Sequence, residues 1–189
     1  MILFINACVR PQSRTCILAD YLLEKLDDTV EKEDLAEFDF PKINNGFITY
    51  RDELTEKKDY SDPLFLPAHR FANADIVVIA APFWDLSFPS ILKQYFEQIN
   101  IPGITFEYSD DGIPKSLCKI KSLYYITTAG GFITSEDFGF GYINALSKSF
   151  YNIPQTFFIK AEGLDIDGAD IDNIICEAKR SIDRLFDKK

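Results

Sequence analysis

Short runs of consecutive apolar residues recur along the chain, and each is typical of a buried β-strand. Four of them are clear, at residues 3–5, 76–80, 123–127 and 156–159. Apolar side chains occupy successive positions rather than alternate ones, which indicates strands covered on both faces, as in a parallel sheet. A fifth strand is predicted near residues 29–38, and its high charge content places it at an edge of the sheet.

Amphipathic patterns with a period of three to four residues lie between these runs and predict helices at residues 15–26, 89–99 and 170–186. In the second helix, Ser87 is the expected N-cap and Pro89 falls in the first turn. The long segment 40–73 is expected to hold two short helices, at 51–57 and 64–72. Strands that alternate with helices in this way define the α/β class with a doubly wound parallel sheet.

Length and composition indicate a single domain. The 189 residues suit one core, no Pro/Gly/Ser-rich linker interrupts them, and the 47% of them that are hydrophobic exclude intrinsic disorder. We therefore predict one domain over residues 1–189.

The charge of the chain narrows the choice of partners. Thirty Asp and Glu residues against 20 Lys and Arg give a formal net charge of -10, and no run of basic residues is longer than two. Nucleic acids and acidic membrane surfaces are therefore excluded as partners. The acidic clusters, such as Asp110-Asp111, lack the spacing of a calcium loop, so no metal site is predicted. A phosphate-bearing ligand would need local donors that act against the overall field.

The amino-terminal apolar segment reaches Arg10 too soon for a signal peptide, and no apolar run is long enough to span a bilayer. We expect a soluble cytoplasmic protein. The four cysteines form no CxxC pair and no zinc spacing, and reduced thiols are their expected state.

Ligands of open parallel sheets bind beyond the carboxyl ends of the strands, so the loops after the strands hold the candidate chemistry. Residues 6–15 contain no glycine, which argues against the glycine-rich loops that bind dinucleotides and nucleoside triphosphates. They offer the hydroxyls of Ser13 and Thr15, two arginines and a helix N-terminus, a set that suits a terminal monophosphate. The alternative is that Ser13 only caps the helix and the arginines are solvated. Cys8, beside this loop, is interpreted as a packing residue because the sequence shows no redox partner for it.

Two further loops could surround a flat aromatic ligand. Residues 81–89, which follow the predicted strand at 76–80, contain the only tryptophan, two phenylalanines and two prolines. The Gly130-Gly131 pair, which follows the run at 123–127, lets the backbone approach a ring closely because glycine has no Cβ. Packing within the domain, an oligomer contact or a tight turn would explain the same residues.

Together, these loops resemble the family of FMN-dependent NADH-azoreductases and NAD(P)H:quinone oxidoreductases. The resemblance extends over nearly the whole chain, and it rests on the Ser-x-Thr loop at 13–15, residues 81–89 leading into 92–96, Gly-Ile-Thr-Phe at 103–106, and Thr-Thr-Ala-Gly-Gly at 127–131. It implies a flavodoxin-like five-stranded parallel sheet of order 2-1-3-4-5 with helices on both faces. It also implies a homodimer with one FMN in each of two sites at the subunit interface.

By position, the resemblance assigns FMN contacts to all three loops. The phosphate would lie at Arg10, Ser13 and Thr15. The isoalloxazine ring would contact Pro82, Phe83, Trp84, Asp85 and Leu86, and its pyrimidine end would contact Thr128, Gly130 and Gly131. The family usually has asparagine where Asp85 stands, so we expect this carboxylate to point away from the ring, with its backbone N–H near the flavin N5.

The reaction that the resemblance implies is a two-electron ping-pong transfer from NADH or NADPH to a quinone, an azo compound or a related aromatic acceptor. FMN carries this chemistry, so no catalytic side chain is predicted, and the only histidine, His69, lies far in sequence from the loops. A free-flavin reductase stays open as an alternative, as does an iron–sulfur-assisted flavoprotein, which the dispersed cysteines disfavour. A flavodoxin-like electron carrier also stays open as an alternative, because the acidity of the chain would suit basic redox partners.

Overall fold

A five-stranded parallel sheet forms the centre of the computed structural model, which describes residues 1–187. Seven strands occur within these residues: β1 (Ile2–Asn6), β2 (Val30–Asp34), β3 (Ile76–Ala80), β4 (Phe106–Tyr108), β5 (Pro114–Ser116), β6 (Ser122–Thr128) and β7 (Gln155–Ala161). The central sheet has the order β2-β1-β3-β6-β7, and β4 pairs with β5 in a separate antiparallel hairpin. When the hairpin is set aside, this order matches the predicted 2-1-3-4-5 topology. The charged strand β2 lies at the predicted edge.

Helices lie between the strands of the sheet and after the last of them. They are α1 (Arg14–Leu26), α2 (Asn45–Glu56), α3 (Leu66–Asn73), α4 (Ser90–Ile99), α5 (Tyr142–Ser149) and α6 (Ile171–Phe186). Strand side chains alternate between two cores, because successive residues of a strand point to opposite faces. Val78 packs with residues of α1 and α6, whereas Val77 packs with residues of α3, α4 and α5. The predicted cover of helices on both faces of the sheet follows from these two cores.

The crossover between β2 and β3 contains more helix than the sequence pattern predicts. The predicted helix at 51–57 is the second half of α2, which begins earlier because the side chain of Asn44 accepts a hydrogen bond from the Phe47 N–H at 3.0 Å. The predicted helix at 64–72 corresponds to a 3₁₀ turn, Pro63–Phe65, followed by α3.

The predicted capping of α4 by Ser87 is wrong. The helix begins at Ser90, with Pro89 in the N-cap position and no side-chain cap. The Ser87 hydroxyl instead donates to the Phe138 carbonyl oxygen at 2.6 Å. Ser87 therefore joins the loop after β3 to the loop after β6.

No helix within residues 1–187 is both long enough and apolar enough to cross a membrane.

Candidate functional site

The loops that follow β1, β3, β6 and β7 meet at the carboxyl edge of the sheet and enclose a cavity of about 370 Å³. The cavity lies beside β1, at the switch point of the sheet, where β2 and β3 lie on opposite sides of β1. This is the position at which open α/β sheets bind their ligands. Its volume falls in the range of small-molecule sites, which is about 300–1,000 Å³.

The first wall of the cavity is the N-terminus of α1. Ser13 occupies the N-cap position in an extended conformation, and its hydroxyl makes no capping hydrogen bond. The first intrahelical bond runs from Ile17 N–H to Ser13 O, so the N–H groups of residues 14–16 have no backbone or side-chain acceptor within residues 1–187. Arg10 also lines this wall. Free N–H groups, a free hydroxyl and the positive end of the helix dipole together form an anion-binding site.

Thr15 and Arg14 hold this wall in place. Thr15 is fully buried, and its Oγ1 lies 2.6 Å from Thr128 Oγ1, so its hydroxyl joins α1 to the end of β6 and does not line the cavity. The Arg14 guanidinium donates to Asp165 Oδ1 at 2.9 Å and to the Leu164 carbonyl oxygen at 3.3 Å. Its charge is therefore engaged in an ion pair at the rim of the cavity.

The second wall is aromatic. Pro82, Phe83 and Trp84 line the cavity, and the Phe83 N–H donates to the Thr128 carbonyl oxygen at 2.9 Å, which continues the pairing of β3 with β6. Trp84 and Ser87 then exchange two backbone hydrogen bonds, of 2.9 and 2.8 Å, across a tight two-residue turn. This pairing fixes the position of the indole at the cavity mouth.

The two residues inside that turn have left-handed backbone conformations. Asp85 has φ 49° and Leu86 has φ 67°. Aspartate tolerates this region, but for leucine it is strained, because Cβ approaches the backbone. Neither side chain lines the cavity: Asp85 faces a neighbouring groove, and Leu86 is 52% exposed. Such strain is characteristic of loops whose shape serves a site.

The third wall is the start of the loop after β6. The Gly130 carbonyl oxygen accepts a hydrogen bond from the Asp165 N–H at 2.9 Å, and a Cβ at position 130 would lie only 2.3 Å from Asp165 Oδ2. Only glycine fits here without displacing its neighbour. A Cβ at Gly131 would meet nothing within 4 Å. Within the described residues, the N–H groups of both glycines lack acceptors and are free to bind a ligand.

Of the residues predicted for the site, seven line this one cavity: Arg10, Ser13, Pro82, Phe83, Trp84, Thr128 and Gly130. Thr15, Asp85, Leu86 and Gly131 lie beside it without lining it. The sequence pattern missed Leu164 and Asp165, which also line it. A signal for them exists in the sequence, because they follow the predicted strand at 156–159.

A doubly wound sheet with a ligand-sized cavity of this kind at its switch point defines a flavodoxin-like protein. The model of the Flavodoxin_2 family, described as a flavodoxin-like fold, matches residues 1–184. The FMN-dependent NADH:quinone oxidoreductase of Coprothermobacter proteolyticus is 30% identical over 183 residues, which cover 92% of this chain and 90% of that protein. The FMN-dependent NADH:quinone oxidoreductase 2 of Clostridium acetobutylicum is 33% identical over 187 residues and covers 92% of each chain.

The same fold occurs in the crystal structure of azoreductase from Bacillus anthracis, which matches with a TM-score of 0.81 at 21% identity and covers 100% of this chain and 99% of that one. The chain belongs to the family of flavodoxin-like oxidoreductases that the curated relatives represent, and the resemblance inferred from its loops is confirmed.

Proposed function

We propose that this protein is an FMN-dependent oxidoreductase that uses NADH or NADPH to reduce quinones, azo compounds or related aromatic acceptors. One observation carries the proposal: a helix N-terminus with unpartnered N–H groups and a free Ser13 hydroxyl faces an aromatic wall across a single cavity. This arrangement fits a ligand with a phosphate at one end and a flat aromatic ring at the other. The names of the curated relatives support the same activity.

Each wall would hold one part of FMN. The Ser13 hydroxyl, the N–H groups of residues 14–16 and Arg10 would bind the phosphate. Thr15 would act there through its backbone N–H, because its hydroxyl already contacts Thr128. The ring would contact Pro82, Phe83 and Trp84, with the backbone of Asp85 and Leu86 at its edge.

The remaining wall would stabilise negative charge. Thr128 and the free N–H groups of Gly130 and Gly131 would lie at the pyrimidine end of the ring, where N–H donors favour charge build-up. When bound, FMN supplies hydride acceptance and two-electron donation, and the protein binds and orients it and excludes water. No side chain of this chain is needed as a general acid or base in this scheme.

A spectrum and a turnover assay test this function. The protein is purified after addition of FMN, its visible spectrum is recorded after gel filtration, and NADH-dependent quinone reduction is measured without any partner protein. Retained yellow colour with turnover is the expected result. Colourless, inactive protein would contradict the proposal, bound flavin without turnover would indicate an electron carrier, and turnover with loss of flavin would indicate a free-flavin reductase.

Serine variants test the phosphate site. Ser13→Ala should weaken FMN binding by about 1–3 kcal/mol, the range for a hydrogen bond to a charged group. Ser181→Ala, which removes a hydroxyl from α6 outside the cavity, is the matched control and should leave the affinity unchanged. Flavin fluorescence quenching measures both. Equal affinities in the two variants would remove Ser13 from the site.

We further propose that the chain forms one domain, acts in the cytoplasm and assembles as a homodimer. The four cysteines are all unpaired, which suits a reducing compartment. Large apolar side chains are exposed beside the cavity, including Phe132 at 68% and Phe138 at 60%. Phe138 lines an apolar groove with Phe88 and Tyr142. A second copy of the chain would cover such a patch, and light scattering that gives the monomer mass with FMN present would refute the homodimer.

A further inference from the structure

The hydroxyl of Thr15 has a single hydrogen-bond partner, and that partner belongs to the wall of the cavity. Thr15 is fully buried in the first turn of α1, and its Oγ1 lies 2.6 Å from Thr128 Oγ1. The Thr15 hydroxyl makes no other hydrogen bond with any atom of residues 1–187. Thr128 ends β6 and lines the cavity, so its own hydroxyl can also meet a ligand or water. The two hydroxyls therefore share one bond but have different surroundings.

These surroundings decide which of the two hydroxyls donates the hydrogen bond. If Thr128 donated it, the proton of Thr15 would have no acceptor inside the protein, and a buried donor without an acceptor is strongly disfavoured. If Thr15 donates it, both protons have a place, because the proton of Thr128 is free to point into the cavity. The burial of Thr15 therefore makes it the donor and makes Thr128 Oγ1 the acceptor.

The backbone around Thr128 is held on both sides by neighbouring strands. Its carbonyl oxygen accepts a hydrogen bond from the Phe83 N–H at 2.9 Å, and the residue pairs with Ala161 of β7. The next residue, Ala129, donates its N–H to the Ala161 carbonyl oxygen at 2.9 Å. With the backbone fixed and the bond from Thr15 occupying the side of Oγ1 that faces α1, the hydroxyl proton of Thr128 is directed away from α1.

We propose that Thr15 is a positioning residue that makes the Thr128 hydroxyl a hydrogen-bond donor to the ligand in the cavity. An oxygen that accepts a hydrogen bond polarises its own O–H, so Thr128 is also a stronger donor than an isolated threonine. The free N–H groups of Gly130 and Gly131 follow directly in the same loop, and they are donors as well. This wall therefore selects ligand groups that accept hydrogen bonds and donate none, such as carbonyl oxygens.

The consequence for flavin binding rests on the proposed function. On that function, the Thr15 side chain would act on the ring of FMN, through Thr128, whereas the family resemblance assigns Thr15 to the phosphate. Riboflavin distinguishes the two roles, because it has the same ring and no phosphate. Removal of the Thr15 hydroxyl should weaken the binding of both flavins by the same factor if it acts on the ring. It should weaken FMN alone if this hydroxyl contacts the phosphate.

Fluorescence titrations with FMN and with riboflavin measure these factors. Thr128→Val should weaken both flavins about fivefold, as the loss of one neutral hydrogen bond would. Thr15→Val should weaken both about twofold, because Thr128 keeps its hydroxyl but loses the bond that orients and polarises it. Thr15→Ser keeps that bond and should bind both flavins as the wild type does.

The double variant and a control complete the titrations. Thr15→Val combined with Thr128→Val should bind no more weakly than Thr128→Val alone, because Thr15 acts only through Thr128. Thr55→Val, which removes a hydroxyl that donates to the Arg51 carbonyl oxygen within α2, is the matched control and should change neither affinity. Weakening of FMN alone in Thr15→Val, no weakening in that variant, or additive losses in the double variant would each overturn the proposal.

Two measurements without flavin test the hydrogen bond itself. In NMR spectra of the ¹³C-labelled protein, a slowly exchanging hydroxyl proton should couple to the Thr15 Cβ and disappear in Thr15→Val; coupling to the Thr128 Cβ instead would overturn the proposal. Thr128→Val strands the buried Thr15 hydroxyl, so it should lower Tm by about 2–4 °C more than Thr15→Val does, and the opposite order would also overturn it. If the Thr15 proton is found and neither flavin binds, only the proposed function fails. If both flavins bind and the proton belongs to Thr128, only the role of Thr15 fails.

Discussion

Replacing Gly130 with alanine should give a less stable protein than the same change at the neighbouring Gly131. A Cβ at position 130 would lie 2.3 Å from Asp165 Oδ2, 3.0 Å from its Cγ and 3.2 Å from its Cβ. At position 131 it would meet nothing within 4 Å. Neither glycine has a positive φ, so alanine imposes no backbone strain at either position. The two variants therefore differ mainly in the displacement of Asp165.

The size of the difference follows from what Asp165 holds. Its carboxylate pairs with Arg14 at 2.9 Å, but the two side chains are 71% and 38% exposed, and such pairs contribute at most about 1 kcal/mol. Alanine reduces the entropy of the unfolded chain by a similar amount in both variants, about 0.4–1 kcal/mol. We expect Gly131→Ala to be neutral or slightly stabilising and Gly130→Ala to be less stable than it by about 1 kcal/mol. In a chain of this size that corresponds to about 2–4 °C in Tm.

Urea denaturation of four proteins measures the effect as a double-mutant cycle: the wild type, Gly130→Ala, Asp165→Ala and the double variant. Asp165→Ala removes the two closest contacts, so in that background Gly130→Ala should behave as Gly131→Ala does, neutral or slightly stabilising. The physical reasoning fails if Gly130→Ala and Gly131→Ala are equally stable. It also fails if the loss caused by Gly130→Ala is the same with and without the Asp165 carboxylate.

Three further predictions concern stability, each measured by urea denaturation. Leu86→Asn should stabilise the protein by about 1 kcal/mol, because asparagine tolerates the left-handed conformation at φ 67° that strains leucine; lower stability would contradict this. Burial raises the pKa of Glu33, although the Arg70 guanidinium lies 3.4 Å from its carboxylate. The stability that protonated Glu33 contributes is therefore lost as pH rises above 4.5, the pKa of this group in the unfolded chain. Glu33→Gln should then be more stable than the wild type near pH 7, with the gain disappearing below pH 4.5, and a pH-independent difference would count against desolvation. Lys121 and the N-terminal amine lower the pKa of Asp75 to about 2, so the stability that its carboxylate contributes is present above pH 3.8 and is lost as pH falls towards 2. Asp75→Asn should therefore lower the stability at pH 7 and match the wild type near pH 2. Equal stability of the two proteins at pH 7 would refute this prediction.

The sequence pattern predicted the strands and helices whose apolar residues are continuous or regularly spaced. β1, β3 and β6 have uninterrupted apolar runs because they are buried on both faces. The hairpin of β4 and β5 escaped prediction because each strand has only three residues, and only Phe106 among the six is buried. Helix α5 also escaped, because it follows a glycine-containing turn, Asp137–Gly141, that breaks the local helical pattern.

The same holds for the candidate site, where some residues could be predicted from the sequence and others could not. Ser13 and Trp84 were found because each lies in a loop directly after a recognisable strand. The ion pair of Arg14 with Asp165 and the contact of Thr15 with Thr128 join residues more than 100 positions apart, and the order of strands in the sheet brings them together. No local pattern carries that information.

The structure also explains how so acidic a chain can offer a site for a phosphate. Arg14, one of the two arginines near the site, is paired with Asp165, so the charge of that arginine is largely cancelled. What remains is Arg10, the Ser13 hydroxyl and the N–H groups at the start of α1, and most of these donors are backbone groups that do not titrate. The net charge of -10 acts over long range and is screened within about 8 Å at physiological salt. Hydrogen bonds act at about 3 Å, where that screening is small. The overall acidity therefore limits polyanionic partners that must contact a wide surface, while a single phosphate held by fixed donors at the end of one helix is affected much less.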